Sequence, residues 1–325
     1  MNNTGFEINS IILYKFEDFD EYDFLNISRV FNTGSIEKLI ILGNIDYLNT
    51  NKQNFIFKKV FESDYFKDNK TDLTLQYNVR SEIYELYKDV TQTKLSTSGD
   101  NTGNISFLPN AGLLSSLQLV NVSSTDAENS KTEYQNVEQA EYCVALFMYM
   151  KLLNYPSNVT IVTNYKIQRV LIEEILKTRC SNNKEIFGNT TPEVKLIEEI
   201  NGYENEYVIV SLVNHKIPNF IDAMKLSQSS TLGLYIFSDV SNLMRIRSKD
   251  GVKTAGHIFA HLLKSPNARD DSYKLQLVGN EMFDGDKRKS VNSDKDKFPL
   301  YTMESYEHFG NYVYEMTKTK IESLK

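Results

Sequence analysis

The pair of histidines most suggestive of chemistry in this 325-residue chain is His257 and His261, because two side chains four residues apart on a helix can hold one metal ion. Zinc sites of this type place a glutamate directly after the first histidine, whereas Ile258 follows His257 here. The sequence offers no evident third ligand. We therefore interpret the two histidines as neighbours on one helix face.

Two charged runs also resemble ion or nucleic-acid sites. Residues 17–23 (EDFDEYD) could suggest a cation site, but their alternating aromatic residues favour the amphipathic start of a helix. Residues 287–289 (KRK) could contact RNA or act as a nuclear signal. Because Asp284 and Asp286 lie beside them, we interpret the basic run as part of a solvated loop.

Hydrolysis of a nucleoside triphosphate needs a loop that cradles the phosphates, a carboxylate for magnesium and cations that stabilise the transition state. The sequence contains no Gly-Lys-Ser or Gly-Lys-Thr, so the phosphate-binding loop is missing from it. Its 36 basic and 43 acidic residues give a net charge of −7, which argues against a broad basic face for free nucleic acid.

The elements that would position such residues alternate along the chain. Apolar runs predict strands over residues 11–13, 39–42, 73–75, 117–120, 159–162, 208–213 and 232–237. Helical patterns cover residues 137–153, 165–179 and 301–324. Several strands are continuously apolar, as strands covered on both faces should be. The alternation predicts an α/β fold with a doubly wound parallel sheet.

The two central helical patterns predict which side chains are buried. In the first, one face carries Ala140, Val144, Phe147 and Met148. In the second, the buried stripe is expected to consist of Ile167, Val170, Leu171, Ile175 and Leu176.

The remaining composition describes an ordered chain outside the secretory pathway. Hydrophobic residues make up 41% and aromatic residues 12%, which fits a globular protein. Cys143 and Cys180 are the two cysteines, and we expect both to be reduced thiols. No apolar stretch reaches the roughly 20 residues of a membrane span, so no membrane association is expected.

The surroundings of the strand over residues 207–213 resemble the last motifs of superfamily-1 helicases. Residues 201–206 (NGYENE) precede this strand in the frame of motif V, with Glu198 and Gly202 at the positions of its acid and glycine. Residues 228–231 (QSST) stand where the family has Ser-Arg-Ala-Arg. An arginine there stabilises charge during phosphoryl transfer, and serine or threonine cannot replace a planar cation.

Earlier segments resemble further helicase motifs in the order that the family shows. Residues 38–48 resemble motif III and keep Gly43. Residues 73–87 resemble the motif that opens the second RecA-like domain, usually Gln-Tyr-Arg, and keep Gln76 and Arg80.

The acids of motif II are replaced. They should follow the strand over residues 11–13, but Tyr14 and Lys15 stand there, and a lysine cannot hold magnesium. The resemblance therefore implies no catalytic residues, and ATP and Mg²⁺, the cofactors of the family, are not expected here. What it implies instead is a set of nucleotide-site remnants, namely Gly43, Gln76, Arg80, Glu198 and Gly202.

Three longer segments are similar to one family within this superfamily, the Aquarius family of intron-binding spliceosomal helicases. They are residues 109–122, residues 135–156 and the C-terminal stretch 274–324. The resemblance covers nearly the whole chain. It implies the end of a first RecA-like domain over residues 1–70, a second RecA-like domain over 71–245 and a tail over 246–325.

The same resemblance supplies the nucleic-acid-binding candidates. Thr163, Tyr165 and Gln168 match the family's Thr-x-Tyr-x-x-Gln, which meets the nucleic-acid strand or orders that edge of the domain. The alternative is that Tyr165 and Gln168 only cap and pack the helix that begins there.

Two functions follow from the resemblance. The first is a non-catalytic Aquarius-like module that acts as an RNA-binding or protein-binding scaffold in pre-mRNA splicing, in the nucleus, with spliceosomal proteins and intron RNA as partners. The second is the C-terminal part of an active ATP-dependent RNA helicase whose phosphate-binding half lies outside this chain. A diverged RNA-decay or replication helicase is a third reading, against which the Aquarius-like tail counts.

Overall fold

The structure is a computed structural model that describes the chain in segments. These are residues 9–31, 36–44, 55–76, 79–89, 91, 96–97, 110–122, 134–155, 158–188, 191–200, 202–213, 219–244, 258–259, 262–263, 273–279 and 299–324. Contacts divide the chain into two compact units, one made of residues 1–75 with 91–96 and the other of 76–90 with 97–325. The domain boundaries at residues 70 and 245 stay predictions.

The first unit is built on two parallel strands. Strand β1 (Ser10–Tyr14) pairs with β2 (Lys38–Leu42), so that Ile12 lies opposite Ile40. Helices α1 (Glu21–Phe31) and α2 (Phe55–Glu62) and the 3-10 turns Phe16–Asp18 and Asp64–Asn69 complete its described elements. One face of the strand pair is covered by a small core of Leu13, Phe16 and Phe57, to which both helices contribute.

The other face of the strand pair is apolar and exposed. Ile12, Tyr14, Ile40 and Leu42 are register partners on this face, and their exposed fractions are 62%, 67%, 45% and 42%. Burial on both faces, as the continuous apolar runs predict, is therefore wrong for the first unit. We call these four side chains the open face.

The second unit contains a five-stranded, fully parallel sheet, which confirms the predicted α/β fold. Its strands are β5 (Leu117–Asn121), β6 (Val159–Thr163), β7 (Glu193–Leu196), β8 (Asn205–Leu212) and β9 (Ser230–Ser238). Their spatial order is β5-β9-β8-β6-β7. Val210 in β8 and Ile236 in β9 are fully buried, as expected for strands with helices on both faces.

Shorter elements precede, connect and follow these strands along the chain. They are β3 (Leu75–Gln76), α3 (Ser81–Tyr84), β4 (Ser96–Thr97), α6 (Lys184–Phe187), the 3-10 turn Ile197–Ile200, α7 (Phe220–Gln228) and α8 (Val240–Met244). Strands β3 and β4 pair with each other. The strand predicted over residues 73–75 is thus displaced to Leu75–Gln76.

Helix α4 (Val137–Leu152) is buried on nearly all sides and not on one face only. It packs against α5 (Lys166–Ser181), against β8 and β9, and against the terminal helix α9 (Tyr306–Ser323). Its Tyr142 ring stacks between two phenylalanines, at 5.1 Å from Phe237 of β9 and 6.2 Å from Phe309 of α9. The one-faced pattern predicted for this helix is wrong because the tail supplies a second packing layer.

In helix α5 the buried stripe differs from the predicted one. Ile167 and Val170 are 43% and 50% exposed, whereas Gln168, Ile172 and Leu176 are buried. A polar residue occupies the first inward position because it serves a hydrogen-bond network that the apolar pattern does not show.

The tail is joined to the second unit through its core and through one sheet edge. Strands β10 (Leu275–Val278) and β11 (Leu300–Met303) form an antiparallel pair, so the predicted start of the terminal helix at residue 301 is wrong. The alternating pattern Leu-Tyr-Thr-Met forms a strand, and Ser305 caps the helix that follows. Gln276 of β10 exchanges two hydrogen bonds with the Gln118 side chain of β5, at 3.0 and 3.1 Å.

The opposite sheet edge is strand β7. Pro192, directly before it, has no N–H to offer, and the Leu196 N–H donates to Glu199 Oε2 at 2.9 Å. Both features limit the addition of another strand at this edge.

Two sequence expectations concern the chain as a whole. Cys143 and Cys180 are both free thiols, as predicted. Among the described residues, no helix combines the length and apolar character needed to cross a bilayer.

Candidate functional site

The carboxyl ends of β6 and β8 form a crevice where the order of the sheet reverses, because β7 extends from β6 in one direction and β9 from β8 in the other. Ligands of open α/β sheets bind at such switch points. Asn164, directly after β6, bridges the crevice. Its Nδ2 donates to Val213 O at 2.8 Å, and its Oδ1 accepts from Val213 N at 3.1 Å.

Gln168 organises the same edge from within. Its Oε1 accepts from Asn136 N at 2.8 Å, and its Nε2 lies 2.9 Å from Asn136 O and 3.1 Å from Ser211 Oγ. Ser211 Oγ in turn donates to Gln139 Oε1 at 3.0 Å. The buried Gln168 side chain therefore ties the beginnings of α4 and α5 to the end of β8.

Two buried polar atoms at this edge have no hydrogen-bond partner among the described residues. They are Thr163 Oγ1, at the end of β6, and Gln139 Nε2, in the first turn of α4. Thr163 and Ser211 are register partners, so both hydroxyls lie on the same face of the sheet. Thr163, one of the predicted nucleic-acid-binding residues, therefore lies under the crevice and is fully buried.

Tyr165 lies at the surface of the edge. Its ring is 5.0 Å from that of Tyr134, which is 46% exposed. Burial raises the pKa of the Tyr165 hydroxyl, with Tyr134 as a smaller contribution. Two adjacent aromatic rings at a surface can stack on unpaired bases.

The beginning of α5 adds a cationic and dipolar feature beside these rings. The helix begins after Tyr165 without a side-chain cap, has no acid in its first turn and starts with Lys166. The first N–H groups of a helix carry partial positive charge and attract anions. By contrast, α4 is capped, since Asn136 Oδ1 accepts from Gln139 N at 2.8 Å.

The amino ends of the strands form the second edge, where Arg80 lies. Its backbone N donates to Thr231 O at 3.0 Å, and its Nη1 donates to Ser116 Oγ at 2.8 Å. Nearby, Glu82 Oε2 accepts from Ser116 N at 2.8 Å and from Ser115 Oγ at 3.0 Å. These bonds tie α3 to the beginnings of β5 and β9.

Hydroxyl groups lie at the two positions that the resemblance assigns to the motif VI arginines, Ser229 and Thr231. Ser229 Oγ donates to Leu226 O at 2.8 Å, and Thr231 Oγ1 donates to Asn205 O at 3.4 Å. The Ser229 side chain is fully buried, and both hydroxyls are bonded to backbone carbonyl oxygens. They do not fit a triphosphate with magnesium, which needs cations and free oxygen ligands.

The other predicted remnants are dispersed. Gly202, with φ of +60°, lies shortly before β8 at the amino edge, near the beginning of β9 where Arg80 is bound. Glu198 is exposed and follows the carboxyl end of β7. Gln76 lies in β3, and its side chain is outside the described residues.

Gly43 belongs to the first unit and is enclosed there. A Cβ at this position would lie 2.6 Å from the Phe57 ring and 2.9 Å from Glu17 Oε2. The same Glu17 oxygen accepts from Asn44 N at 3.0 Å, and burial raises the pKa of this carboxyl group. Lys15, at the predicted motif II position, adopts a left-handed conformation with φ of +55°.

The structure provides no support for the candidate metal sites. Within the described segments, no three potential ligands come together. His257, His261 and the basic run 287–289 lie outside those segments. Residues 17–23 end a 3-10 turn and begin α1, which agrees with the amphipathic helix start.

The sequence pattern missed the partners that surround Gln168. Asn136 had a signal, because an asparagine directly before a helical pattern is a preferred N-cap. The sequence carries no such signal for Gln139 and Ser211, since Gln139 lies within a helical pattern and Ser211 within a strand pattern.

Comparisons with known proteins agree with this arrangement. A family model described as an AAA domain matches residues 53–246, which include the whole five-stranded sheet. This chain belongs to the Aquarius-like family of AAA-domain helicase proteins.

Two relatives of the Aquarius-like family are longer than this chain. The pre-mRNA-splicing factor cwf11 of Schizosaccharomyces pombe is 28% identical over 345 residues, covering 99% of this chain and 25% of that protein. The RNA helicase aquarius of Mus musculus is 32% identical over 233 residues, covering 64% of this chain and 15% of that protein. The chain thus spans a quarter or less of these relatives.

Proposed function

We propose that this chain is a non-catalytic, Aquarius-like module of the spliceosome that binds single-stranded RNA along the carboxyl edge of its sheet and docks a protein partner. The names of the two relatives, a pre-mRNA-splicing factor and an RNA helicase, support the splicing context, and hence the nucleus and intron RNA. One observation carries the non-catalytic part, namely that Arg80 Nη1 and the hydroxyls at the motif VI positions of the amino edge donate to groups of the fold itself.

Loss of nucleotide chemistry follows from the residues of that edge. Arg80 donates to Ser116, and the hydroxyls of Ser229 and Thr231 bond to backbone oxygens. A transition state for phosphoryl transfer carries charge on its equatorial oxygens and is stabilised by free cations. The described residues at the former motif VI offer hydroxyls that are already engaged.

The proposed RNA surface comprises Asn164, Tyr165, Lys166 and Tyr134. The two rings supply stacking area, Lys166 supplies one cation, and the uncapped start of α5 supplies backbone donors for a phosphate. Gln168 and Thr163 lie beneath this surface, and the hydrogen bonds of Gln168 hold it in shape. With the overall charge of −7, binding is expected to be local and sensitive to salt.

RNA binding is tested with a fluorescein-labelled single-stranded oligouridine and fluorescence anisotropy. Removing one stacking ring, by Tyr165→Ala or Tyr134→Ala, is expected to weaken binding by about tenfold. Tyr314→Ala on α9 removes an exposed ring of the same kind outside the proposed surface and should leave affinity unchanged. Equal affinity of the wild type, Tyr165→Ala and Tyr134→Ala would exclude this surface.

Nucleotide binding is tested by calorimetry with ATP and Mg²⁺ and by phosphate release in the presence of RNA. We expect neither binding nor turnover. Micromolar affinity, or RNA-stimulated turnover abolished by Arg80→Ala, would overturn the non-catalytic proposal and favour an active helicase whose phosphate-binding half lies on another segment or chain.

The protein-docking part rests on the open face of Ile12, Tyr14, Ile40 and Leu42. Parallel strands are normally covered by helices on both faces. A face two strands wide and five residues long measures about 10 by 16 Å, which fits one helix. It is far smaller than the ~800 Å² that each side of a stable complex buries. The proposed occupant is therefore an apolar helix of a spliceosomal protein, and that protein contacts this chain at a second surface as well.

A further inference from the structure

A cleft of about 740 Å³ lies beside the outer strand of the sheet, between α5 and β7. One wall is the side of α5 that carries Leu176, Lys177 and Cys180, and the other is the segment 191–195 with Glu199. None of the side chains named above for the surface of the carboxyl edge, Asn164, Tyr165, Lys166 and Tyr134, lines this cleft. Its volume lies within the range of ligand-binding pockets in proteins.

The floor of the cleft is apolar. Leu176, Cys180 and Val194 line it and are 2%, 3% and 6% exposed, and Pro192 beside them is also buried. Burial raises the pKa of the Cys180 thiol, so this side chain behaves as a small apolar group. A ligand that fills the cleft must therefore present an apolar group to the floor.

The charges at the rim are not balanced. Arg169 Nε lies 2.9 Å from Glu173 and its Nη1 lies 3.2 Å from Glu199. Lys195 Nζ lies 3.3 Å from Glu193. All three carboxylates that line the cleft are thereby engaged.

Two lysines remain beyond these pairs. The side chains of Lys177 and Lys184 line the cleft, and neither has an ion-pair or hydrogen-bond partner among the described residues. The rim therefore carries four positive and three negative charges, and its two lysines without ion-pair partners in the described segments lie beside an apolar floor.

The apolar floor and the two lysines without ion-pair partners together indicate which class of ligand fits the cleft. None of the lining residues is aromatic, so the cleft lacks the stacking faces that single-stranded nucleic acid uses. Addition of a β-strand is also disfavoured, since Pro192 and the Glu199–Leu196 bond limit the free edge of β7. A ligand that inserts an apolar side chain into the cleft and places an acidic group at the rim would cover the apolar floor and pair with the lysines.

We propose that this cleft binds a peptide segment of a protein partner in which a large apolar side chain lies next to carboxylates. The inference rests on the proposed scaffold function and adds a second protein-binding surface to it. The apolar side chain would cover Leu176, Cys180 and Val194, and the carboxylates would pair with Lys177 and Lys184.

The test uses three fluorescein-labelled peptides of equal length on a Gly-Ser frame and the full chain. Their central residues are Asp-Leu-Glu-Phe, Asp-Ser-Glu-Ser and Lys-Leu-Lys-Phe. We expect anisotropy to show saturable binding of the first alone. The double variant Lys177→Glu/Lys184→Glu is expected to weaken this binding by about tenfold.

Two further variants keep the test specific. Ser181→Trp places a bulky ring at the exposed mouth of the cleft and should also abolish binding. Lys318→Glu/Lys320→Glu on α9 makes the same charge change elsewhere and should not. Failure of the first peptide to bind the wild type, or binding that both cleft variants retain, would overturn the proposal.

Oligouridine binding measured on the same samples separates this inference from the proposed function. The cleft variants should bind RNA as the wild type does. If the wild type binds the peptide but not RNA, the result counts against the RNA surface alone. If it binds RNA but not the peptide, the result counts against the cleft alone.

Discussion

At the scale of single residues, Gln168 shows how a helicase motif position can serve the fold. Its side-chain amide contacts Asn136 N, Asn136 O and Ser211 Oγ, all inside the second unit. Those groups are buried, so each needs a partner from within the protein. The proposed RNA surface above them therefore depends on a residue that is itself buried.

Replacing Gln168 by alanine is expected to lower the free energy of unfolding by about 2–3 kcal/mol, because buried donors and acceptors lose their partners. Gln135→Ala is the matched control, since the hydrogen bond of 3.3 Å from Gln135 to Ile167 O lies at the surface. It should change stability by less than about 0.5 kcal/mol. Urea denaturation followed by circular dichroism measures both. Equal midpoints for the two variants would show that the network contributes little.

Glu199 gives a prediction for pH dependence. Its pKa is lowered from the ordinary value of 4.5, first by the hydrogen bond from Leu196 N and then by Arg169. An acid with a lowered pKa in the folded state stabilises the fold above its unfolded pKa, and this contribution is lost as pH falls through the folded pKa. Because the side chain is exposed, the contribution is expected to stay below about 1 kcal/mol.

The comparison is between wild type and Glu199→Gln, which removes the charge but can still accept from Leu196 N. The wild type should lose its advantage in melting temperature as the pH is lowered from about 6 to below 4.5. A difference in melting temperature between the two proteins that stays constant over this pH range would show that the Glu199 charge has no effect on stability.

The sequence predicted some of these residue environments and missed others, for physical reasons. Burial of Val210 and Ile236 followed from continuous apolar runs. The roles of Gln168 and Arg80 did not, because a polar residue in a motif can face a ligand or the interior. Only the positions of Ser211 and Ser116, brought near by the fold, distinguish these possibilities.

At the scale of elements, the terminal helix α9 is part of the core of the second unit. Phe309 and Val313 are buried against α4, and the Phe309 ring lies 5.8 Å from that of Tyr149. The sequence predicted a terminal helix but not its partner, since periodicity identifies a face and not what covers it. For the same reason α4 was expected to be amphipathic.

Phe309→Ala is therefore expected to destabilise the second unit by about 3–5 kcal/mol through the cavity it leaves. Tyr314→Ala, on the 64% exposed side of the same helix, is the control and should cost less than about 0.5 kcal/mol. Denaturant titration of both variants checks this. A small effect of Phe309→Ala would mean that α9 is dispensable for the fold of the second unit.

At the scale of the whole molecule, the two units differ in completeness. The sheet of the second unit has helices on its faces and the tail on one edge, whereas the described strand pair of the first unit is covered on one face only. The sequence indicated this difference, because two predicted strands within 1–70 cannot enclose a core alone. The first unit is therefore where the protein-docking part of the proposed function can be tested.

The double variant Ile12→Thr/Ile40→Thr replaces two apolar side chains of the open face by polar ones that keep β-propensity. These side chains are 62% and 45% exposed, so the melting temperature should change little. Recovery of spliceosomal proteins by the tagged chain from nuclear extract should fall strongly, as it should for a shorter form beginning at Thr71. Tyr22→Ser, at a 77% exposed position on α1, is the control and should recover the same proteins as the wild type. If the double variant recovers them too, the open face is not the docking surface. If the wild type recovers no spliceosomal protein, the splicing function itself is wrong, because an Aquarius-like scaffold without spliceosomal partners has no role in splicing.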